Sequence, residues 1–477
     1  MKDNNTEVKN PDILRRAPKM WEACIPIFAL IILLCGGYGI LQLPVEMLLI
    51  AAAFVASLVA LKIGYSWKDI EGSIVQAIAK GMPAQMIIII VGILIASWIA
   101  SGSIPMLIDY GLRIVSPAYF LVTASLVCAV ISLMTGTPYG TAGTIGIAFM
   151  GIGHGLGIPL APVAGAIVAG CYVGDKLSPF SAAANLASAA ARCYIMDTSQ
   201  HLLWTSVPAF LISLIVYWFV GSHYAILNTG SDRIMLIQNT LESNFAYHWS
   251  LLLPPAIVLF LTFRRKPAVP VMLLSSLIAI ILAIWFQGKS LLMVMNYCVS
   301  GYKSTTGVVL VDQLLSRGGL LDMMKITLIT FCAFAFAGII QKAGILDLLL
   351  QKILQFSKTS ARLIASATIS TLATGLLTGN AYLSVLLPGE LFAPAFKAKK
   401  LAAKNLARIT QEAHVIVPIV PWAIAGVYMS GTLGVSTWEY APWAISNYVG
   451  FIITVIYGWI GFSTAPLKRD DETQPGS

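Results

Sequence analysis

The segment Thr135-Gly136-Thr137-Pro138-Tyr139 lies inside a long apolar run and returns as Thr378-Gly379-Asn380-Ala381-Tyr382, 378 − 135 = 243 residues later. Helix breakers and hydroxyls in such a place free backbone N–H and C=O groups that lipid cannot satisfy, so protein or a water-lined cavity must do so. Interrupted hydrophobic segments at matching places in two halves of a chain point to a transporter's binding site.

The rest of the chain fits a bilayer. Of its 477 residues 58% are hydrophobic and only 11% charged, and the mean hydropathy is +0.82. Successive apolar runs of about 20 residues are each long enough to cross as a helix. An all-α polytopic membrane protein follows, with about ten to thirteen membrane elements, some of them not fully spanning. The first twenty residues carry Lys2, Asp3, Glu7, Arg15, Arg16 and Lys19 without a short apolar core, so no cleaved signal peptide is expected.

The net charge of +9 is explained by orientation rather than by nucleic acid, which is not expected as a partner. Its basic residues gather at the ends of apolar runs: Arg15, Arg16 and Lys19; Arg264, Arg265 and Lys266; Lys397, Lys399, Lys400, Lys404 and Arg408. The positive-inside bias puts these on the cytoplasmic side. The seven cysteines stand singly with no CxxC pair, so neither a disulfide framework nor a metal site is expected, and no cofactor.

Residues 1–20 read as a cytoplasmic tail, 21–221 as a first transmembrane repeat, 222–246 as an external loop, 247–465 as a second transmembrane repeat and 466–477 as a polar tail. Trp67 to Ser73 reads as a polar linker or surface helix, and Gln341 to Ser360 as a polar segment. An apolar segment from Leu160 breaks at Gly174-Asp175-Lys176-Leu177-Ser178-Pro179, and another, from Ala413 to Tyr428, is interrupted by Pro418 and Pro421. Pairing Pro179 with Pro418 gives 418 − 179 = 239, close to the first period.

With these four elements laid out, the chain resembles the NhaC-type sodium/proton antiporters of the wider ion-transporter group. The resembling segments are Gly136-Thr137-Pro138-Tyr139-Gly140-Thr141, Gly174-Asp175-Lys176-Leu177-Ser178-Pro179, Leu314-Leu315-Ser316-Arg317-Gly318-Gly319-Leu320, Thr378-Gly379-Asn380-Ala381-Tyr382 and Pro418-Ile419-Val420-Pro421-Trp422. The resemblance implies a secondary antiporter of the inner membrane with two inverted repeats, each holding a re-entrant hairpin and a broken helix whose tips meet near mid-membrane. It also implies an elevator-type fold and a homodimer.

Departures from the family pattern bear on the cargo. Where the family usually has Ser-Asp-Thr-Thr-Asn, this chain has Ser181-Ala182-Ala183-Ala184-Asn185, and where it usually has Thr-Gly-Asp-Gln-Tyr, this chain has Thr378-Gly379-Asn380-Ala381-Tyr382. The acidic, hydroxyl-rich stretch before the second break reads Thr410-Gln411-Glu412-Ala413-His414-Val415-Ile416-Val417-Pro418, and Ala423 stands for the Asn after Pro-Trp. A hard cation needs several oxygen ligands to replace its hydration shell. Ala182, Ala183, Ala184, Ala381, Val415, Ile416 and Ala423 instead predict a roomier, greasier pocket of the kind that takes an organic solute.

The substrate-binding candidates are Thr137, Tyr139, Asp175, Lys176, Ser178, Ser181, Asn185, Asn380, Tyr382 and Trp422, and the proton-coupling candidates are Glu412 and His414. Each has a plainer reading. Asp175 and Lys176 can pair with each other, Ser178, Ser181 and Asn185 can satisfy the broken backbone, the two tyrosines can pack a hairpin tip, and Glu412 can face cytoplasmic water beside Arg408. The function expected is antiport of a small organic solute (an amino acid, amine or carboxylate) by proton coupling or solute exchange, with Na+/H+ antiport as the alternative. No HExxH, no GxSxG elbow in a suitable context and no Cys/His pairing is present, so an enzyme is not expected.

Overall fold

The computed structural model describes residues 16–41, 43–227, 231–264 and 266–467, and among these the regular structure is helical, with one isolated bridge between Leu401 and Pro466. Residues 1–15, with the basic Lys2 and Arg15, and Arg265 lie outside the described residues, as do residues 468–477. Nine described helices are long and apolar enough to cross a membrane, or up to twelve if each bent pair counts as one span. This is a multi-pass membrane protein.

The chain divides into two units. One comprises residues up to Gly81 together with Phe331–Lys352. It contains Met20–Ile32, which widens into a π-helical stretch at Leu33–Ile40, and Val45–Lys62. Arg16 pairs with the buried Glu22 carboxylate at 2.5 Å, and Gly338 lets its helix approach the Ser73 carbonyl so closely that a Cβ would lie 2.6 Å from that oxygen.

The second unit, Met82–Thr330 with Ile353–Ser477, holds every candidate site residue. Its first hairpin is Phe120–Thr135 followed by residues 138–155, and its first broken helix is Leu160–Leu177 followed by Ala182–Ala191. The second hairpin is Ser360–Thr378 and Ala381–Ala398, and the second broken helix is Ala403–Ile419 and Ile424–Leu433, bent by 49° at its break. Small residues let these elements meet at backbone distance. A Cβ at Gly389 would sit 2.6 Å from that of Ala190, so the second hairpin's returning arm lies directly on the outer arm of the first broken helix.

Three segments read as polar contain helices. Trp67 to Ser73 is the first part of a 35-residue helix, Trp67–Ser101, that continues through Pro83. Within the stretch read as an external loop, Ser231–Asn244 is helical because Ile237 and Leu241, four apart, bury one face. Gln341 to Ser360 contains the helix Ile345–Gln355, with Ile345, Leu346 and Leu350 buried. In both cases surface polarity masks an apolar stripe.

Candidate functional site

In the first half the turn is made by Gly136, at φ 68, the left-handed region that favours glycine. Thr137 then caps the returning arm by accepting from Gly140 N–H, and Pro138 follows where its missing N–H costs nothing. The facing break is extended at Ser178 and again at Ser181, with a turn at Pro179 and Phe180 between them that Ser181 N–H closes by donating to the Ser178 carbonyl at 3.2 Å. Ser178 Oγ accepts from Phe180 N–H, Ser181 Oγ caps Ala184 N–H at 3.3 Å, and the exposed Asn185 amide donates to the Pro179 and Ser181 carbonyls at 2.9 and 2.7 Å. These polar side chains satisfy the broken backbone, as a lipid-free break requires. A Cβ at Gly136 would lie 2.7 Å from the Phe180 carbonyl carbon, so turn and break touch backbone to backbone.

The second half repeats the device. Gly379 turns at φ 62, Asn380 Oδ1 accepts from Tyr382 N–H at 2.9 Å and Leu383 N–H at 3.2 Å, and Ile424 N–H donates to the Gly379 carbonyl at 3.1 Å. The break runs from Val420 to Ala423, extended at those two residues and turning at Pro421 and Trp422, with Ala423 N–H donating to the Val420 carbonyl at 3.1 Å. Its offsets from the first break are 420 − 178 = 242 and 423 − 181 = 242, matching 379 − 136 = 243 for the turns. The pairing of Pro179 with Pro418 is therefore corrected. Pro418 lies inside the 3-10 turn His414–Ile419, and Pro421 occupies the turn of the break.

The halves interlock. Tyr428, on the outer arm of the second broken helix, donates its hydroxyl to the Tyr139 carbonyl at 2.7 Å, and the two rings meet edge to face at 4.7 Å. Tyr139 thus packs a hairpin arm. Tyr440 Oη donates to the carbonyls of Pro418 at 2.6 Å and Gly426 at 3.2 Å, and Asn447 Nδ2 to that of Val415 at 2.8 Å. Trp422 Nε1 donates to Leu376 O at 2.8 Å.

The charges fall into two groups. Lys176 Nζ meets Glu412 Oε2 at 2.6 Å, with the side chains 1% and 0% exposed. Glu412 Oε1 also accepts from Thr205 at 2.7 Å and from Ser206. Glu412 therefore does not face water beside Arg408; Arg408 is buried and donates to Ser463 O and Oγ at 2.8 and 2.7 Å. His414, also buried, donates from Nδ1 to the Gln411 carbonyl at 2.8 Å. With Lys176 taken by Glu412, Asp175 keeps no ion pair among the described residues. It is 4% exposed, beside the Ser181 hydroxyl and within electrostatic reach of Tyr139, Tyr172 and Tyr382.

A cavity of about 430 Å³ opens at the first turn and break, lined by Thr135, Thr137, Gly140, Phe180 and Ala182, and across from them by Thr262, Lys266, Val271 and Met272. Of the residues expected to make a greasy pocket, Ala182 lies on this wall, whereas Ala184, Val415 and Ala423 are sealed in packing. Tyr382, half exposed, and Asn380 are not among its lining residues. Sequence reasoning missed Thr205 and Ser206 on Glu412, Tyr172 within electrostatic reach of Asp175, Tyr428 on Tyr139, and the exposed Lys266 on the cavity wall. The adjacent hydroxyls of Thr205 and Ser206 in an otherwise apolar run were the signal available for one pair.

The sequence pattern of the Na+/H+ antiporter family matches residues 170–462. An uncharacterized Na+/H+ antiporter of Haemophilus influenzae is 43% identical over 95% of this chain and 98% of its own length. The malate-2H+/Na+-lactate antiporter of Bacillus subtilis is 34% identical over 94% and 96%, and the arginine/ornithine antiporter ArcD of Halobacterium salinarum is 31% identical over 96% and 95%.

Proposed function

This chain belongs to the Na+/H+ antiporter family, and from that premise we propose that it is a secondary antiporter of the plasma membrane exchanging protons for a small organic solute that carries a positively charged amine. The observation that carries this reading is Asp175. With Lys176 and Glu412 cancelling each other, the centre keeps one buried carboxylate without a partner cation. A carboxylate in such surroundings is costly to leave charged and alone, so it is occupied by a proton or by a cationic group. Because the two compete for one site, loading the cargo releases the proton, which is antiport.

Asp175 is accordingly assigned to cargo and proton together, and Glu412 to holding Lys176. Thr137 and Asn380 cap the two hairpin turns, Ser178, Ser181 and Asn185 shape the first break, and Tyr139 and Tyr382 lie within electrostatic reach of the carboxylate. The matching periods of 242 and 243 residues support two inverted repeats. An elevator motion of the paired hairpins and broken helices, in a homodimer, completes the proposal. It assigns no catalytic step. Relatives exchanging arginine for ornithine, or malate for lactate, make an organic cargo compatible with the family. The cationic class is favoured here by the buried Asp175 carboxylate, because Lys266 on the cavity wall is exposed to solvent.

Purified protein in sealed vesicles with an imposed pH gradient tests this. Proton-driven accumulation of basic amino acids or amines in sodium-free buffer, lost in Asp175→Asn, is the expected result. Sodium-driven proton movement with no organic solute present, and no amine uptake, would instead establish Na+/H+ exchange.

A further inference from the structure

A second cleft, of about 210 Å³, lies where three elements end: the outer arm of the first broken helix, the returning arm of the second hairpin, and the start of the second broken helix. Its floor is apolar and sealed, with Phe396 1% and Leu406 0% exposed. Its rim is basic. Arg192, Lys397 and Lys404 line it with one acid, Asp197. Arg192 is reached through a left-handed backbone at φ 62, unusual for a residue with a side chain. None of these four residues forms an ion pair at 4 Å or less with another described residue. This end of the molecule carries the basic run that orientation assigns to the cytoplasmic side.

We propose that this cleft binds an anionic phospholipid of the cytoplasmic leaflet, its phosphate held by Arg192, Lys397 and Lys404 and its glycerol and first acyl carbons on the Phe396–Leu406 floor. The inference goes beyond the antiport reading and does not depend on which cargo is carried. Two features of the cleft select an amphiphile over a free anion. A surplus of two positive charges attracts phosphate, and an apolar floor beneath the charges gives no purchase to a fully hydrated ion but fits hydrocarbon. The acid on the rim sharpens the argument, because it opposes the same headgroup that the three cations attract. Occupancy would tie together the ends of three elements whose opposite ends reach the two breaks and the second hairpin turn, one of them carrying Glu412.

Full-length protein in neutral detergent, titrated with phosphatidylglycerol or phosphatidylcholine and read by native mass spectrometry and thermal unfolding, tests the site. Phosphatidylglycerol is expected to bind and raise the melting temperature, and phosphatidylcholine not to. Arg192→Gln and Lys404→Gln should each weaken binding roughly fivefold, at about 1 kcal/mol per basic residue. Asp197→Asn should strengthen it, an effect opposite in sign to any folding defect. Lys397→Gln, on the exposed rim, serves if either of the first two variants fails to fold. Equal binding of the two lipids, unchanged phosphatidylglycerol affinity in R192Q/K404Q, or competition by inorganic phosphate as effective as by the lipid overturns the proposal.

Discussion

Lys176 and Glu412, 236 residues apart in the chain, meet at 2.6 Å in the buried centre, where Glu412 also takes the hydroxyls of Thr205 and Ser206. This contact joins the inner arm of the first broken helix to that of the second. Removing one member leaves the other charged, buried and unpaired, which costs about 3–5 kcal/mol, whereas removing both costs far less. Lys176→Met and Glu412→Gln should each lower the unfolding free energy by about that amount, and the double variant should recover most of it. Thermal unfolding in detergent provides the cycle; additive losses would show that the two residues are not coupled.

The turn glycines offer a cleaner separation of strain from packing. Gly136 and Gly288 both have left-handed backbones, φ 68 and φ 61, but a Cβ at Gly136 would strike Phe180 while one at Gly288 meets nothing within 4 Å. Gly288→Ala should cost only the backbone strain, about 1–2 kcal/mol. Gly136→Ala should cost more, the excess measuring contact between hairpin and break, and it should slow transport as well. Equal losses from the two variants would mean that the contact gives way freely.

Much of this centre was legible from residue types alone. Glycine, threonine and proline in an apolar run announce freed backbone, and Asp175 and Lys176 announce themselves as charges in a place where charge is expensive. Partners were not legible. The sequence reading offered Asp175 to Lys176 as neighbours, but adjacent residues on a helix point about 100° apart, and Lys176 reaches a different helix altogether. Nor did proline locate the second break. A proline reports a missing N–H, which the 3-10 turn at Pro418 tolerates, and the chain becomes extended only at Val420. The helix Ser231–Asn244 was hidden because two buried side chains, Ile237 and Leu241, are too few to outweigh its polar residues in composition.

Away from the spans, Asp312 organises the loop before the Arg317-Gly318-Gly319 turn. Its carboxylate accepts from Thr306 N–H at 2.7 Å, Ser304 Oγ at 2.7 Å and Gly307 N–H at 3.2 Å, and these bonds hold its pKa below the usual carboxylate value. A carboxylate depressed in the folded state contributes stability above its unfolded pKa and loses it as pH falls through the folded one. Amide protection at Thr306 and Gly307 should therefore be intact at neutral pH and fade under acid, below about pH 4. Asp312→Asn should abolish that pH dependence in hydrogen exchange, leaving both amides weakly protected throughout.

The final prediction concerns how a broken helix survives in lipid. At the second break the carbonyls of Pro418 and Gly426 both turn to the hydroxyl of Tyr440, a fully buried side chain. Tyr428, by contrast, serves one carbonyl, that of Tyr139. Deleting the Tyr440 hydroxyl leaves the buried Pro418 carbonyl an orphan acceptor, at about 1–3 kcal/mol, whereas the Gly426 carbonyl keeps Thr437 Oγ1 at 3.2 Å and the Tyr139 carbonyl keeps the Ala142 N–H. Tyr440→Phe should thus destabilise the protein more than Tyr428→Phe while leaving ring packing unchanged in both. Thermal unfolding ranks the two. Because Pro418 and Gly426 flank the extended residues, Tyr440→Phe should also expose the break to solvent, seen as faster labelling of a cysteine placed at Val420. If Tyr440→Phe is as stable as the parent and no more reactive there, water already satisfies these carbonyls and the tyrosine is not what holds the break together.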